Sequence, residues 1–230
     1  MLGIIGAMEV EVATLKENMK IESVNTKAGM EFFKGTISGK NVVVVKSGIG
    51  KVNAGICTQI LVDDYNVDAV VNTGVAGSLN NDINICDIVI SKECLEHDID
   101  VTPLGYEKGV IPDMETSVFT ADSHLIEVAK KAVALAELDV NIVEGKVVSG
   151  DQFIGTAEKK QYLRKQFNGD CAEMEGASIA HTAWLNKVPF LVIRAISDKA
   201  DGGAEMDYPT FEKKAAQNSI KLMMTFIQML

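Results

Sequence analysis

Arginine is nearly missing from this chain of 230 residues: Arg164 and Arg194 are the two it has. Acids outnumber bases by 32 to 22, for a net charge of −10. Phosphate backbones recruit stripes of lysine and arginine, so this balance excludes a nucleic-acid partner. An anionic membrane surface is disfavoured for the same reason. No apolar run approaches the roughly 20 residues of a membrane span. The opening MLGIIGAMEVEV has neither the basic leader nor the small-residue cleavage site of a signal peptide. A cytoplasmic protein is expected. Cysteine is sparse and scattered: Cys57, Cys86, Cys94 and Cys171 form no C-x-x-C pair, which predicts buried, reduced thiols rather than a zinc or redox site.

Cofactor motifs are also lacking. In SGIGKVNAG, Asn53 stands where a dinucleotide fingerprint needs its third glycine, and Val52 follows Lys51 where a P-loop needs serine or threonine. Gly48 and Gly50 still suit a close backbone approach to a ligand. The HDID run at 97–100 sets one histidine among aspartates, which is too little for a metal site, and His124 and His181 have no ligand-spaced partners. No G-x-S-x-G elbow signals a serine hydrolase. Neither a metal nor a cofactor is predicted.

What is present reads as one ordinary globular unit, 47% hydrophobic and 23% charged, with no repeat or linker, hence a single domain over 1–230. Short Val/Ile-rich runs recur at 2–5, 42–45, 69–71, 88–90, 147–148 and 190–196. Continuous apolar strands imply a sheet covered on both faces. Between them, helical spacing places Val52, Ile56 and Ile60 on one face of 51–65, and Leu125, Ala129 and Val133 on one face of 122–136. A last helix over about 209–229 aligns Phe211, Ala215, Leu222 and Phe226. With a hairpin turning through 38–41, the pattern predicts an α/β, three-layer single domain with a central mixed, twisted sheet flanked by helices. Residues 100–117 have two prolines, two glycines and no period, yet carry Leu104, Tyr106 and Ile111, so a lid or subunit contact is expected there.

In such folds ligands sit at the carboxyl ends of strands, and these ends hold the unusual residues. GIIGAMEVE delivers Glu9 and Glu11 to a helix start, where capping alone would also favour acids. VVNTGVAGSL offers Gly74 and Gly77 for close approach. VVSGDQFIG ends in Phe153, which either fills core or stacks on a flat base. AEMEGASIA at 172–180 sets Glu173 and Glu175 before a run of small residues. In FLVIRAISDKAD, Arg194 interrupts a buried strand and Asp198 ends it. Burial raises the pKa of such a carboxyl, as a general acid requires, unless Arg194 and a carboxylate form a purely structural pair.

Together, GIIGAMEVEV, KSGIGKVNA, VNTGVAGSL, HDIDVTPLGY, VSGDQFI, AEMEGASIAH and VIRAISDKAD run in one order along the chain. That series resembles the 5′-methylthioadenosine/S-adenosylhomocysteine nucleosidase family, within the purine nucleoside phosphorylase superfamily, from residue 3 to the last helix. The resemblance implies hydrolysis of an N-glycosidic bond, releasing adenine. By it, Asp198 is the acid at adenine N7 with Ser197 orienting it, and Glu11 activates water. Glu175 binds ribose with Met174 on its face, and Arg194 lies near the sugar and its acids. It implies an adenine pocket at Phe153, which stacks, and Ile154. Met8 and Ile49 line the 5′ end, and Val75, Ala76, Gly77 and Tyr208 belong to the substrate site. Leu104, Tyr106 and Pro112 are implied as a partner subunit's contribution in a homodimer. Val75, Leu104 and Tyr208 depart from residues common among relatives. Glu173 is included as a substrate-site residue without a settled role: strand alternation would put it beside Glu175, and a helix starting near Gly176 would not. A phosphorylase, a futalosine-type nucleosidase and a non-catalytic nucleoside receptor are the alternatives. A phosphorylase would need arginines for its dianion.

Overall fold

The computed structural model describes residues 1–201 and 204–230, excluding the side chains of 204–207. The order is β1 (Leu2–Gly6), α1 (Glu9–Glu17), β2 (Lys20–Lys27), β3 (Met30–Ile37), β4 (Lys40–Lys46), α2 (Lys51–Tyr65), β5 (Ala69–Ser78) and β6 (Ile88–Glu96). A 3₁₀ turn at Thr102–Leu104 leads to β7 (Val118–Thr120), α3 (Ser123–Leu135), β8 (Ile142–Ser149) and α4 (Ala157–Phe167). The chain ends with β9 (Cys171–Glu173), α5 (Gly176–Leu185), β10 (Phe190–Asp198) and α6 (Ala204–Met229). Every predicted apolar run lies inside a strand. The predicted hairpin joins β3 to β4 through Ser38 and Gly39, both at positive φ (50° and 79°), a pair that matches the twist of the strands.

Strands β4, β1, β5 and β10 run parallel, and their side chains alternate between two cores. Ile4, Val42 and Val44 join Val12 and Leu15 of α1 on one face, and Ile5, Val43 and Val45 join Ala54 and Leu61 of α2 on the other. Each of these Val, Leu and Ile side chains, fully buried, contributes about 1.5–3 kcal/mol. Helices α1, α3 and α6 cover the first face and α2 with α5 the second, giving the three predicted layers. One feature exceeds the expectation. Beyond β5 the sheet closes on itself: β5 pairs with β10, β10 with β6, β6 with β8, β8 with β9, and β9 returns to Gly77 and Ser78 of β5. A three-residue bridging strand leaves no periodic trace in sequence.

Two helix readings are corrected. On α2 the buried stripe is Ala54, Cys57, Thr58 and Leu61, while Val52 is 72% exposed and Ile56 is exposed too; of the predicted face, Ile60 alone is buried. Helix α6 begins at Ala204, before the predicted 209, and runs through Pro209; Ala215, Leu222 and Phe226 are buried as expected and Phe211 half-buried. The segment 100–117 is irregular apart from its 3₁₀ turn, with Leu104 75% exposed. All four cysteines are free and buried. No described helix is long and apolar enough to cross a membrane.

Candidate active site

A cleft of about 210 Å³ opens at the carboxyl ends of β1, β5 and β10, against the first turns of α1 and α5. Its four acids come from the start of α1 (Glu11), the end of β9 (Glu173), the cap of α5 (Glu175) and the end of β10 (Asp198). Glu11 is the third residue of α1 and reaches back toward the strand. One oxygen accepts the N–H of Ala7 at 2.7 Å and of Met8 at 2.9 Å, and the other accepts the N–H of Val75 at 3.2 Å. It thus caps its helix and also bridges to β5. Gly74 makes room for it, since a Cβ there would stand 2.5 Å from Glu11 Oε1. Burial raises the Glu11 pKa, against the pull of Arg194 and the three N–H groups.

Glu173 and Glu175, two residues apart, are held in opposite states. Glu173 ends β9 and receives the Arg194 guanidinium, the Ser149 hydroxyl and the N–H groups of Glu175 and Gly176. Burial opposes its charge, but Arg194 and Ser149 prevail and hold its pKa below the ordinary value. Arg194 is fixed in turn by Asn72 Oδ1 and by the Ile193 carbonyl at 3.0 Å. Breaking such a buried pair typically costs about 3–5 kcal/mol, so Arg194 is chiefly the counter-ion of Glu173. Glu175 is the N-cap residue of α5, and its Oε1 accepts the Gly50 N–H at 2.7 Å. Burial and then the neighbouring Glu173 charge push its carboxyl up to about 8.

That asymmetry has a thermodynamic consequence. A carboxyl whose folded pKa is raised binds its proton more tightly in the folded state, so stability is lost as pH rises from about 4.5 towards about 8. Replacing Glu175 by Gln removes that loss. The variant is expected to melt above wild type by a margin that widens between pH 5 and pH 8 in thermal scans, and an equal margin at both pH values contradicts the assignment.

Asp198 ends β10, where a bulge after Ile196 breaks the alternation. Without it Ser197 and Asp198 would face opposite ways; with it both line the cleft. Asp198 Oδ2 accepts the Ser197 hydroxyl at 2.9 Å and Oδ1 the Ala200 N–H at 2.8 Å. Gly77 beside it leaves no space for a side chain, because a Cβ would lie 2.8 Å from Asp198 Oδ1. Phe153 is not core: it is 54% exposed and meets Tyr208 edge-on at 5.9 Å. Burial raises the Tyr208 pKa, and its hydroxyl donates to Glu212 at 3.0 Å.

The cleft therefore gathers Glu11, Glu173, Glu175, Asp198, Ser197, Met174, Met8, Ile49, Val75, Ala76, Gly77, Phe153 and Tyr208. Ile154 lines a small recess beside Asp198 and Phe153, and Arg194 stands behind Glu173. Leu104, Tyr106 and Pro112 form no part of its wall in the single chain. Among the described residues no lysine or arginine lines the cleft, and no cluster of three His, Cys, Asp or Glu side chains could hold a metal ion. Sequence reasoning missed Asn72 and the Ser149 hydroxyl. The signal for Asn72 was an amide inside the apolar AVVNTGVA strand.

Hydrolytic acid–base chemistry on a small flat ligand suits this geometry, and relatives agree. The sequence model of the family described as "Phosphorylase superfamily" matches residues 1–228. A 5′-methylthioadenosine/S-adenosylhomocysteine nucleosidase of Staphylococcus aureus (strain JH9) is 41% identical, over 100% of both chains. The Neisseria meningitidis 5′-methylthioadenosine/S-adenosylhomocysteine nucleosidase, solved with methylthio-immucillin-A, superposes with a TM-score of 0.95 at 38% identity, covering 100% of this chain and 99% of the other. A futalosine hydrolase of Helicobacter pylori gives 0.94 at 33% identity, covering 100% and 97%. The chain belongs to the phosphorylase superfamily and, within it, to the 5′-methylthioadenosine/S-adenosylhomocysteine nucleosidase family.

Proposed function

We propose that the chain, acting as one domain over 1–230, hydrolyses the N-glycosidic bond of 5′-methylthioadenosine and S-adenosylhomocysteine, and of 5′-deoxyadenosine. It releases adenine and the free sugar, a 5-thioribose from the two thio-nucleosides and 5-deoxyribose from 5′-deoxyadenosine, in methionine salvage and by-product recycling. The observation that carries this reading is a cleft with Asp198 at one wall and Glu11 at another and, among the described residues, no lysine or arginine in its lining. Asp198 gives a proton to adenine N7 as the bond from C1′ to N9 breaks and its electrons pass to the base. Water adds to C1′ and its proton goes to Glu11, whose desolvated carboxylate is a stronger base than an exposed one. Glu175 binds the ribose hydroxyls. Burial and Glu173 disfavour its anion, so positive charge developing on the sugar stabilises that anion most in the transition state. Acid on one side and a water-activating base on the other is the logic of inverting glycosidases.

A phosphorylase reading is disfavoured because the one nearby cation, Arg194, is engaged by Glu173, and among the described residues no lysine or arginine lines the cleft to receive phosphate. A futalosine-type substrate is the second reading, favoured by the likeness to the Helicobacter pylori enzyme. Free base should be followed with methylthioadenosine, adenosylhomocysteine, futalosine, adenosine and inosine. Preference for the two thio-nucleosides is expected, and preference for futalosine would replace the substrate assignment. Stoichiometric binding without release would mark a receptor.

The exposed apolar groups Ile49, Val52, Ile56, Leu104 and Tyr106 support a homodimer in which Leu104, Tyr106 and Pro112 complete the partner's 5′ pocket. The Val52→Glu variant is expected to sediment as a monomer with a raised KM for methylthioadenosine. Full activity in a wild-type monomer would contradict this. Four free thiols suit the reducing cytoplasm.

A further inference from the structure

Glu175 depends on one backbone donor, the Gly50 N–H, and that donor sits on a corner with unusual anchorage. Gly50 has φ 98° and ψ 161°, a conformation open to glycine, so the corner does not hold itself by ordinary preference. The next residue, Lys51, opens α2, where the helix dipole disfavours a cation. Its ammonium is nonetheless drawn inward, donating to Oε2 of Glu96, the last residue of β6, at 3.2 Å and to Asp98 Oδ1 just beyond it at 2.7 Å. Its backbone N–H donates to Asp151 Oδ1 at 2.9 Å, and the Asp151 N–H donates to Asp98 Oδ2 at 3.0 Å. The Lys51 carbonyl accepts the Ser178 hydroxyl of α5 at 2.8 Å. Glu96 is backed in turn by His181 at 3.2 Å, whose ring stacks on Phe119. Three elements thus converge on one lysine adjacent to the glycine that serves Glu175.

We propose that Lys51, with Asp98 and Asp151, is a positioning residue: it clamps the 48–51 corner so that the Gly50 N–H meets Glu175. The clamp touches no substrate atom and works through that one hydrogen bond. This rests on the reading that Glu175 binds the ribose. With the clamp loosened, Glu175 keeps its facing charges, Glu173, Arg194 and Glu11, and loses a donor that favours its anion. Its titration should then move to higher pH.

The test compares Lys51→Met, Lys51→Arg and Asp151→Ala with wild type, measuring kcat/KM for methylthioadenosine against pH together with the melting temperature. Lys51→Met and Asp151→Ala are expected to lose on the order of 10- to 100-fold in kcat/KM, as misplacement of a binding group does. The Glu175-dependent limb should move to higher pH in both. Lys51→Arg should restore both values in large part. Asp151 is exposed, so its variant keeps the test open should Lys51→Met fail to fold. Either variant, folded, with kcat/KM within about twofold of wild type and an unmoved limb, overturns the clamp; a purely structural role would lower the melting temperature without moving the limb. Glu175→Gln serves as control. Wild-type turnover in it would refute the reading of the ribose site rather than the clamp.

Discussion

Asp198→Asn is expected to fold normally and to release adenine from methylthioadenosine about 100- to 10,000-fold more slowly than wild type. The amide is nearly isosteric, and its oxygen can still accept the Ala200 N–H or the Ser197 hydroxyl, so the bulge at the end of β10 should survive. What it lacks is a proton to give to the leaving base. Without that proton adenine must depart as an anion. A substrate whose leaving group needs no protonation, such as a nitrophenyl thioriboside, should therefore be cleaved by Asp198→Asn at nearly the wild-type rate. Equal impairment on both substrates would mean that Asp198 shapes the cleft rather than supplying a proton.

Glu11→Gln should cost a similar 100- to 10,000-fold, by a different route. The wild-type carboxylate accepts N–H bonds from Ala7, Met8 and Val75. A carboxamide must turn its NH₂ towards one of these donors, an unsatisfied contact worth about 1–3 kcal/mol. A modest fall in melting temperature is thus expected beside the catalytic loss. The two effects separate in a binding measurement: methylthioadenosine should still bind, and single turnover should be slow. Near-normal adenine release by the folded variant would remove Glu11 from the role of base.

Much of this site was legible because chemistry interrupts pattern. Arg194 and Asp198 stand out in an otherwise apolar β10, and Glu173 and Glu175 precede a helix of small residues. Those residues (Gly176, Ala177, Ile179 and Ala180) are buried, which lets α5 pack close enough for its cap to face the cleft. The division of labour between the two glutamates was not legible. Glu173 is the partner of Arg194 and Glu175 faces the cleft beside it, a distinction set by Ser149 and Asn72 on other strands. The bulge at Ser197 and the closure of the sheet through β9 depend on pairing between strands distant in sequence, which local periodicity does not encode. The outward face of α2 misled for a related reason. Its apolar stripe was real, but the sheet packs against the opposite, smaller one, where Ala54 and Leu61 meet Ile5, Val43 and Val45.

The central claim is that water, not phosphate, attacks the sugar of methylthioadenosine. Wild-type protein should be incubated with methylthioadenosine in oxygen-18-labelled water, with phosphate absent and then in excess, and both products analysed by mass spectrometry. Adenine should appear at the same rate in both conditions, with one labelled oxygen on C1 of the free methylthioribose. Release that requires phosphate, with the sugar recovered as its 1-phosphate, would contradict it.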